Sequence, residues 1–570
     1  MKINDLYRMF SVFIFSLLLS AIVVFPCHSS PRADRNTGDT EAAMQQLETG
    51  LVDELRSLTE SGKLSSMLQA IEILRSRNLS GTEFGRVITG INVLLIGLVY
   101  PDAPGRLPPV DLPQTHNYTR IIREAEKGNY VRPPDDSEDF FEYILPFLAV
   151  NDQTRPETLN DILRDLTKAA ELKPNSVLPP YLQGLIHERA GRNAQAETAF
   201  RRAYAISEEC YPALAGSARI MRQSGNLSGA AAIFQDLVVR YPDSNLLKKE
   251  LALTLYRANN WSRALPLVDE LLLSNPRDGE LLLMKAHILI EQGHYSQANA
   301  PLDIYASINS SNRNYLFYRA RVQAEGNRNR DSALNYLRSI LRTSPNDAEA
   351  LAYAANLLME SQRAADLQEG REYLERLRRI SGSSVEVLSL SLHDAVRREN
   401  WREAQGFLNR ILAIRRTPQD LTDGYYVERG LGNNAKALEY ARELYERDPN
   451  NNEYIIIYIS ALIDNNRRDE ASRLLEAKIN SVGSGSVKSR LYFLSSRIQP
   501  NEEAALGELR SSIFEDPRNL DALIAMFEIY HRRREERRAV YYLRQALAIA
   551  PDNPRLQRYA REYASLLNTR

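Results

Sequence analysis

The chain has 570 residues, 44% of them hydrophobic and 25% charged, the composition of a folded protein in a length too great for one ordinary core. Lysine and arginine total 72 against 73 acids, so no global field selects nucleic acid or an anionic surface as the partner. Two cysteines, Cys27 and Cys210, exclude a disulfide framework.

Residues 1–30 read as a targeting segment. Lys2 and Arg8 give a positive start, and Met9 to Phe25 carries no charge. That length suits the core of an export signal and is marginal for a membrane span. Three fates stay open: cleavage after Ser29, retention as an anchor, or lipidation at Cys27. The last rests on a resemblance to bacterial lipoprotein signals, from which Pro26 departs. The array is expected outside the cytoplasm, periplasmic or anchored on the periplasmic face of a membrane. Residues 31–40 are a polar tether.

Residues 41–100 form an N-terminal helical region. Leu47, Leu51, Leu55 and Leu58 line one helix, Gly62 marks a turn, and Leu64, Met67, Leu68, Ile71 and Leu74 line the return. Glu83 to Tyr100 reads as a buried helix, with a partner or membrane-surface contact as the sharper alternative. Prolines 101, 104, 108, 109, 113, 133 and 134 make 101–136 a proline-rich linker. A first, degenerate helical unit then ends at Pro174.

From there the sequence repeats. Gly184, Ala196, Phe200 and Ala203 are followed one period later by Ala218, Ala230 and Phe234, then by Ala252 and Ala264, then by Ala286 and Ala298. The closing position runs through Glu208, Pro242, Pro276, Ser310, Pro345, Gly382, Arg416, Pro449, Gly483, Pro517 and Pro551, and most steps are 34 residues. The step to Pro345 is 35, with its surplus residue expected in the turn after Gly326; the step to Gly382 is 37, with the excess expected around Ser361 to Glu369. Such a period describes two amphipathic helices per unit, small residues where backbones approach, and glycine in the turn. No unit buries its apolar face alone, so the units must stack.

The pattern resembles the tetratricopeptide repeat family, with Gly293-His-Tyr295-Ser-Gln-Ala298 a close match to its turn and Trp261-x-x-Ala264 and Trp401-x-x-Ala404 keeping the offset. The resemblance implies an all-α fold, an α-α superhelix of about 11–12 hairpins over 137–551 with a capping helix at 552–570. It also implies a non-enzymatic scaffold whose concave groove holds a protein or peptide. The alternative is an accessory or regulatory subunit of an envelope enzyme or assembly machine, with the N-terminal region making the functional contact.

Sites for chemistry are few. The seven histidines are scattered, and none stands at a metal-ligand spacing. The run Arg532 to Arg538 falls in a repeat turn and contains two acids, which reads as a solvated edge rather than a nucleic-acid site. No catalytic residue, cofactor or metal is expected, and the oligomeric state is not readable. Some members of the family clamp a terminal carboxylate with lysine at place five and asparagine at place nine of a first helix; Lys249 holds the former place and Leu253 the latter, so no clamp is expected. The family's inner-surface places give Arg219, Arg222, Lys249, Tyr256, Arg257, His287, Glu291, Arg321 and Asn356 as the groove, basic and interleaved with tyrosine. An acidic or mixed-charge protein segment is the expected occupant of Arg219 to Arg321.

Overall fold

The computed structural model describes residues 49–103 and 107–567. The targeting segment with Cys27, the tether and residues 41–48 lie outside the described residues. Among those residues every regular element is helical. The chain divides into two compact units between Tyr318 and Arg319, and each is taken by itself.

Unit 1 begins with α1 (Thr49–Ser61), α2 (Leu64–Ser76) and α3 (Glu83–Val99). The apolar run in α3 is interior. Its one amide, Asn92, is buried and donates to the Thr59 hydroxyl at 2.9 Å and to the Ile88 carbonyl at 2.9 Å, as a buried polar group must.

The span read as a linker differs from that reading. It contains α4 (Asn117–Glu126), whose Tyr118, Ile121 and Ile122 join the same apolar cluster as α3. Leu112 lies where a Cβ on Gly90 would stand 2.7 Å from it, and the Pro113 carbonyl accepts from the Thr119 hydroxyl at 2.7 Å. The prolines set turns, but the side chains between them pack. Then come α5 (Phe140–Ile144), a 3₁₀ turn and α6 (Pro156–Leu172).

The N-terminal helices run beside the repeats instead of standing apart. Ser61 accepts from the Val177 amide at 3.0 Å, Lys173 pairs with Glu60 at 2.6 Å, and the Ser65 hydroxyl donates to Glu209 at 2.5 Å. Asp102 accepts from the Ser244 hydroxyl at 2.7 Å and the Leu246 amide at 2.8 Å. Three successive closing loops are thus tied to one segment.

The regular hairpins of unit 1 are α7/α8 (Leu178–Arg189, Asn193–Ile206), α9/α10 (Tyr211–Gln223, Leu227–Arg240), α11/α12 (Asn245–Arg257, Trp261–Ser274) and α13/α14 (Gly279–Glu291, Tyr295–Asn309). Phe200 shows why small residues recur. A Cβ on Gly184 would stand 2.5 Å from its ring and one on Gly216 2.7 Å, so the phenyl group fits between first helices of neighbouring repeats only because both positions are glycine.

The pair α15 (Arg313–Arg321) and α16 (Arg330–Thr343) spans the division. Unit 2 continues with α17/α18 (Ala348–Met359, Ala364–Ser381), α19/α20 (Val385–Arg397, Trp401–Leu412) and α21/α22 (Pro418–Gly430, Asn434–Arg447). It ends with α23/α24 (Asn452–Asp464, Arg468–Ser481), α25/α26 (Ser486–Ser496, Glu502–Glu515) and α27/α28 (Leu520–Arg532, Glu536–Ile549). The C-terminal segment is two short helices, α29 (Pro554–Glu562) and α30 (Ala564–Leu567), with Leu556 and Tyr563 buried in the last cluster.

Local chemistry explains the regularity. Two residues after closing positions Pro242, Pro276, Pro345, Gly382, Pro449, Pro517 and Pro551 stand Ser244, Asp278, Asp347, Ser384, Asn451, Asn519 and Asn553, each an N-cap accepting from its helix's first-turn amides. The surplus residue before Pro345 is absorbed earlier than the sequence suggested, in a π-helical turn at Val322–Gly326, the usual form of a one-residue insertion in a helix. The excess before Gly382 lengthens α18 to 18 residues.

Candidate functional site

The nine groove residues fall in both units, seven in unit 1. There the structure places acids that the sequence reading did not use. Arg219 donates from Nε and Nη2 to the two Glu188 carboxylate oxygens at 2.9 and 2.8 Å. Arg222 meets Glu250 at 2.6 Å and donates to the Thr254 hydroxyl at 3.0 Å. Lys249 lies 2.9 Å from Asp278 and 3.1 Å from Glu280. Burial alone would depress the Lys249 ammonium, but Glu280 and Asp278 outweigh it and hold it above its ordinary value. Glu188 likewise holds Arg219 raised against the opposing effect of burial.

These pairs correct the expectation of a solvated basic groove. Arg222 is 7% exposed and Glu250 5%; a pair so desolvated fixes the stacking of first helices and cannot turn to a partner without stranding a charge. The bases at 219, 222 and 249 are joints between repeats.

What remains open on this face is a ring cluster. Tyr256, on α11, and His287, on α13, have centroids 5.5 Å apart, with the Tyr256 hydroxyl 2.6 Å from His287 Nδ1. Trp261 stands 5.5 Å from Tyr256 and 5.8 Å from His287, while Tyr318 stacks on His287 at 5.1 Å with planes 10° apart. All four rings are half-buried. Glu291 lies 3.3 Å from His287 Nε2. Burial pushes the Tyr256 phenol up; the Glu291 carboxylate at Nε2 can only accept, which in the neutral ring leaves Nδ1 to accept from the Tyr256 hydroxyl. Arg257, one repeat before Glu291, is exposed and has no ion pair among the described residues; burial and then the Arg222 charge lower its pKa. An exposed cation, an exposed carboxylate and four rings with polar edges thus stand together on the first helices of unit 1 and the start of α12.

In unit 2, Arg321 donates to Glu325 at 2.9 and 3.1 Å, and Tyr353 donates to the same carboxylate at 2.7 Å. Asn356 is exposed on α17. The arginine run at 532–538 is drawn to acids, Arg532 and Arg533 to Glu502 at 2.9 Å each and Arg533 to Glu503 at 2.7 Å. Among the described residues no three His, Cys, Asp or Glu side chains stand together as metal ligands, and no helix is long and apolar enough to cross a membrane.

Tyr318 and the four acids were missed, and Trp261 entered the sequence reading only as a packed mark of the repeat register. The acids stand 28 to 31 residues from their bases, a spacing that opposite charges on successive first helices share. Tyr318 repeats the same 31-residue step that separates Tyr256 from His287.

Residues 181–245 and 249–313 match the profile described as tetratricopeptide repeat. No curated protein matches the chain. Among solved structures, the chain is similar to YrrB, "a TPR protein with an unusual peptide-binding site", at 17% identity over 33% of this chain and 95% of that one, with a TM-score of 0.30. It is similar to PilF of Pseudomonas aeruginosa at 19% identity over 38% and 97%, TM-score 0.34, and to yeast Tom70 at 11% identity over 80% and 96%, TM-score 0.34.

Proposed function

Taking the chain as the tetratricopeptide-repeat protein its array shows it to be, we propose that it is a non-enzymatic scaffold of the cell envelope that holds a segment of another protein against the first helices of unit 1. The observation that carries this reading is the half-buried cluster of Tyr256, Trp261, His287 and Tyr318 between Arg257 and Glu291. Aromatic groups with polar edges, already packed on one another, offer contact area at little entropic cost. The occupant is a mixed-charge segment with an acidic side chain for Arg257. The charge-free Met9 to Phe25 after a basic start supports export.

Photo-crosslinking tests the site. A crosslinking residue at position 257 or 291 yields a partner adduct, one at Leu273 on the opposite side of the hairpin does not, and Arg257→Glu weakens the first adduct without lowering Tm. Equal adducts from 257 and 273 would place the contact elsewhere. Location is tested by an alkaline-phosphatase fusion after Thr40 in a bacterial host, which is active if the array is exported and inactive if it stays in the cytoplasm.

A further inference from the structure

Unit 2 contains a second feature, independent of the ring cluster. It lies where the repeat is least regular. The π-turn Val322–Gly326 precedes it, Arg328 adopts the left-handed conformation at φ 51°, and α18 is preceded by a turn without any positive-φ residue. Between these irregular stretches an open cavity of about 620 Å³ is lined by Arg328, Asn329, Arg330, Asp331 and Arg363. Three guanidinium groups thus converge on one concavity.

Their existing partners hold them loosely. Arg330 Nη2 reaches the Ser361 hydroxyl at 3.2 Å and Asp366 at 3.4 Å, while its buried Nε has no partner. Arg363 stands 3.3 Å from Asp331 and 3.7 Å from Asp366. Arg328 has no ion pair among the described residues. Well-made charge-assisted bonds are about 2.7–2.9 Å, and the neighbouring Arg338 reaches Glu369 at 2.7 Å. The donors around the cavity are therefore under-used while others a few turns away are not. The left-handed turn at Arg328 is filled by glycine at Gly191, Gly225, Gly293 and Gly432 and by other side chains at Asn259, Glu399, Asn466 and Arg534, so the position accepts glycine without loss.

We propose that this cavity is an anion site for a phosphoryl group. Three arginines against Asp331 and Asp366 leave one positive charge, and the start of α16 adds about half a charge. The sum approaches the −1.5 to −2 of a phosphate monoester at neutral pH, and planar guanidinium forks match its oxygens. The phosphoryl group takes the free donors of Arg328 and draws Arg363 away from Asp331.

Calorimetric titration of the full chain in a phosphate-free, low-salt buffer tests this. The probes are inorganic phosphate and a serine peptide in phosphorylated and unphosphorylated forms. Saturable binding of inorganic phosphate is expected. Arg328→Gly should weaken it about tenfold, the size of one charge-assisted hydrogen bond, while Tm holds or rises because glycine suits the left-handed turn. Arg363→Ala, at an exposed side chain, should weaken binding similarly. Tighter binding of the phosphopeptide than of free phosphate assigns the group to a modified protein; equal or weaker binding assigns it to a small phosphate compound. No saturable heat with any phosphorylated probe at millimolar concentration, or unchanged affinity in both variants, overturns the proposal.

Discussion

In unit 1 one large apolar cluster runs from Met67 on α2 to Ile288 on α13, through Phe200 and Phe234, with a small group around Leu55, Leu74 and Ile88 beside it. In unit 2 the buried apolar side chains separate into smaller groups, among them one around Leu388 to Val427, one around Leu421 to Leu494 and one around Leu506 to Tyr563. At the rim, repeats of unit 2 are joined by polar atoms as well. Arg410 donates to the Gly382 carbonyl at 2.9 Å, Arg447 to that of Arg416 at 3.0 Å, and Arg376 to that of Pro345. These carbonyls stand at the closing positions of the preceding repeats. Exposed apolar side chains occur on the second helices of both units, Val239 and Leu273 in unit 1 and Phe514 in unit 2. A repeat stack held by a shared apolar interior opens as one body, whereas one held by separate groups and rim hydrogen bonds opens in pieces.

Phe200→Ala should have the largest effect. It removes a ring shared by two repeats and costs about 4 kcal/mol, and hydrogen exchange should report loss of protection through α7–α13 together. Loss confined to α7–α10 would break the contrast between the units. Arg222→Ala comes next, at about 3 kcal/mol, because it leaves Glu250 buried without its partner. Replacing both with Met and Leu should recover most of that in urea unfolding; failure to recover would show that the pair does more than neutralise itself.

Ser489→Ala in unit 2 should cost about 2 kcal/mol, since the buried Ser489 hydroxyl accepts from Asn519 at 2.9 Å and donates to the Ser512 carbonyl at 2.7 Å. Exchange should rise in α25–α27 and stay slow in α19–α22. A uniform rise over unit 2 would mean that its groups are coupled after all. The smallest effect is expected at His393, whose pKa is raised chiefly by its hydrogen bond to Asp423. The protonated imidazole favours the folded state, so this contribution is present below the ordinary histidine value and fades as pH rises through the raised one. The urea midpoint of His393→Asn should fall below that of the parent at pH 5.5 and match it at pH 8.

Much of this architecture was legible because glycine and proline mark it. Gly184 and Phe200 announced the close approach of helices, and the closing prolines announced where each unit ends. The same left-handed turn at Asn259, Glu399, Asn466 and Arg534 was not legible, because side chains that only tolerate the conformation carry no signal for it. The linker reading of 101–136 failed because proline content reports local chain direction, not whether Leu112 and Tyr118 find a surface to cover. In the site, the structure brings Tyr256, His287 and Glu291, read from places five to thirteen, next to one another. They could not tell that Arg219, Arg222 and Lys249 were matched by acids, since charge pairing across repeats depends on which rotamer reaches which neighbour.

The tie from Asp102 to Ser244 and Leu246 spans 142 and 144 residues of chain, and during synthesis that separation becomes a delay. At about 5–20 residues per second, the Asp102 carboxylate waits roughly 7 to 30 s after leaving the ribosome before the start of α11 emerges to meet it. Through that interval α3 is already covered by Leu112 and Tyr118, but the segment from Tyr100 to Ala103 is not yet tied to that repeat. A nascent chain stalled before residue 244 should therefore be cut in this segment by limited proteolysis more readily than one stalled after Arg257.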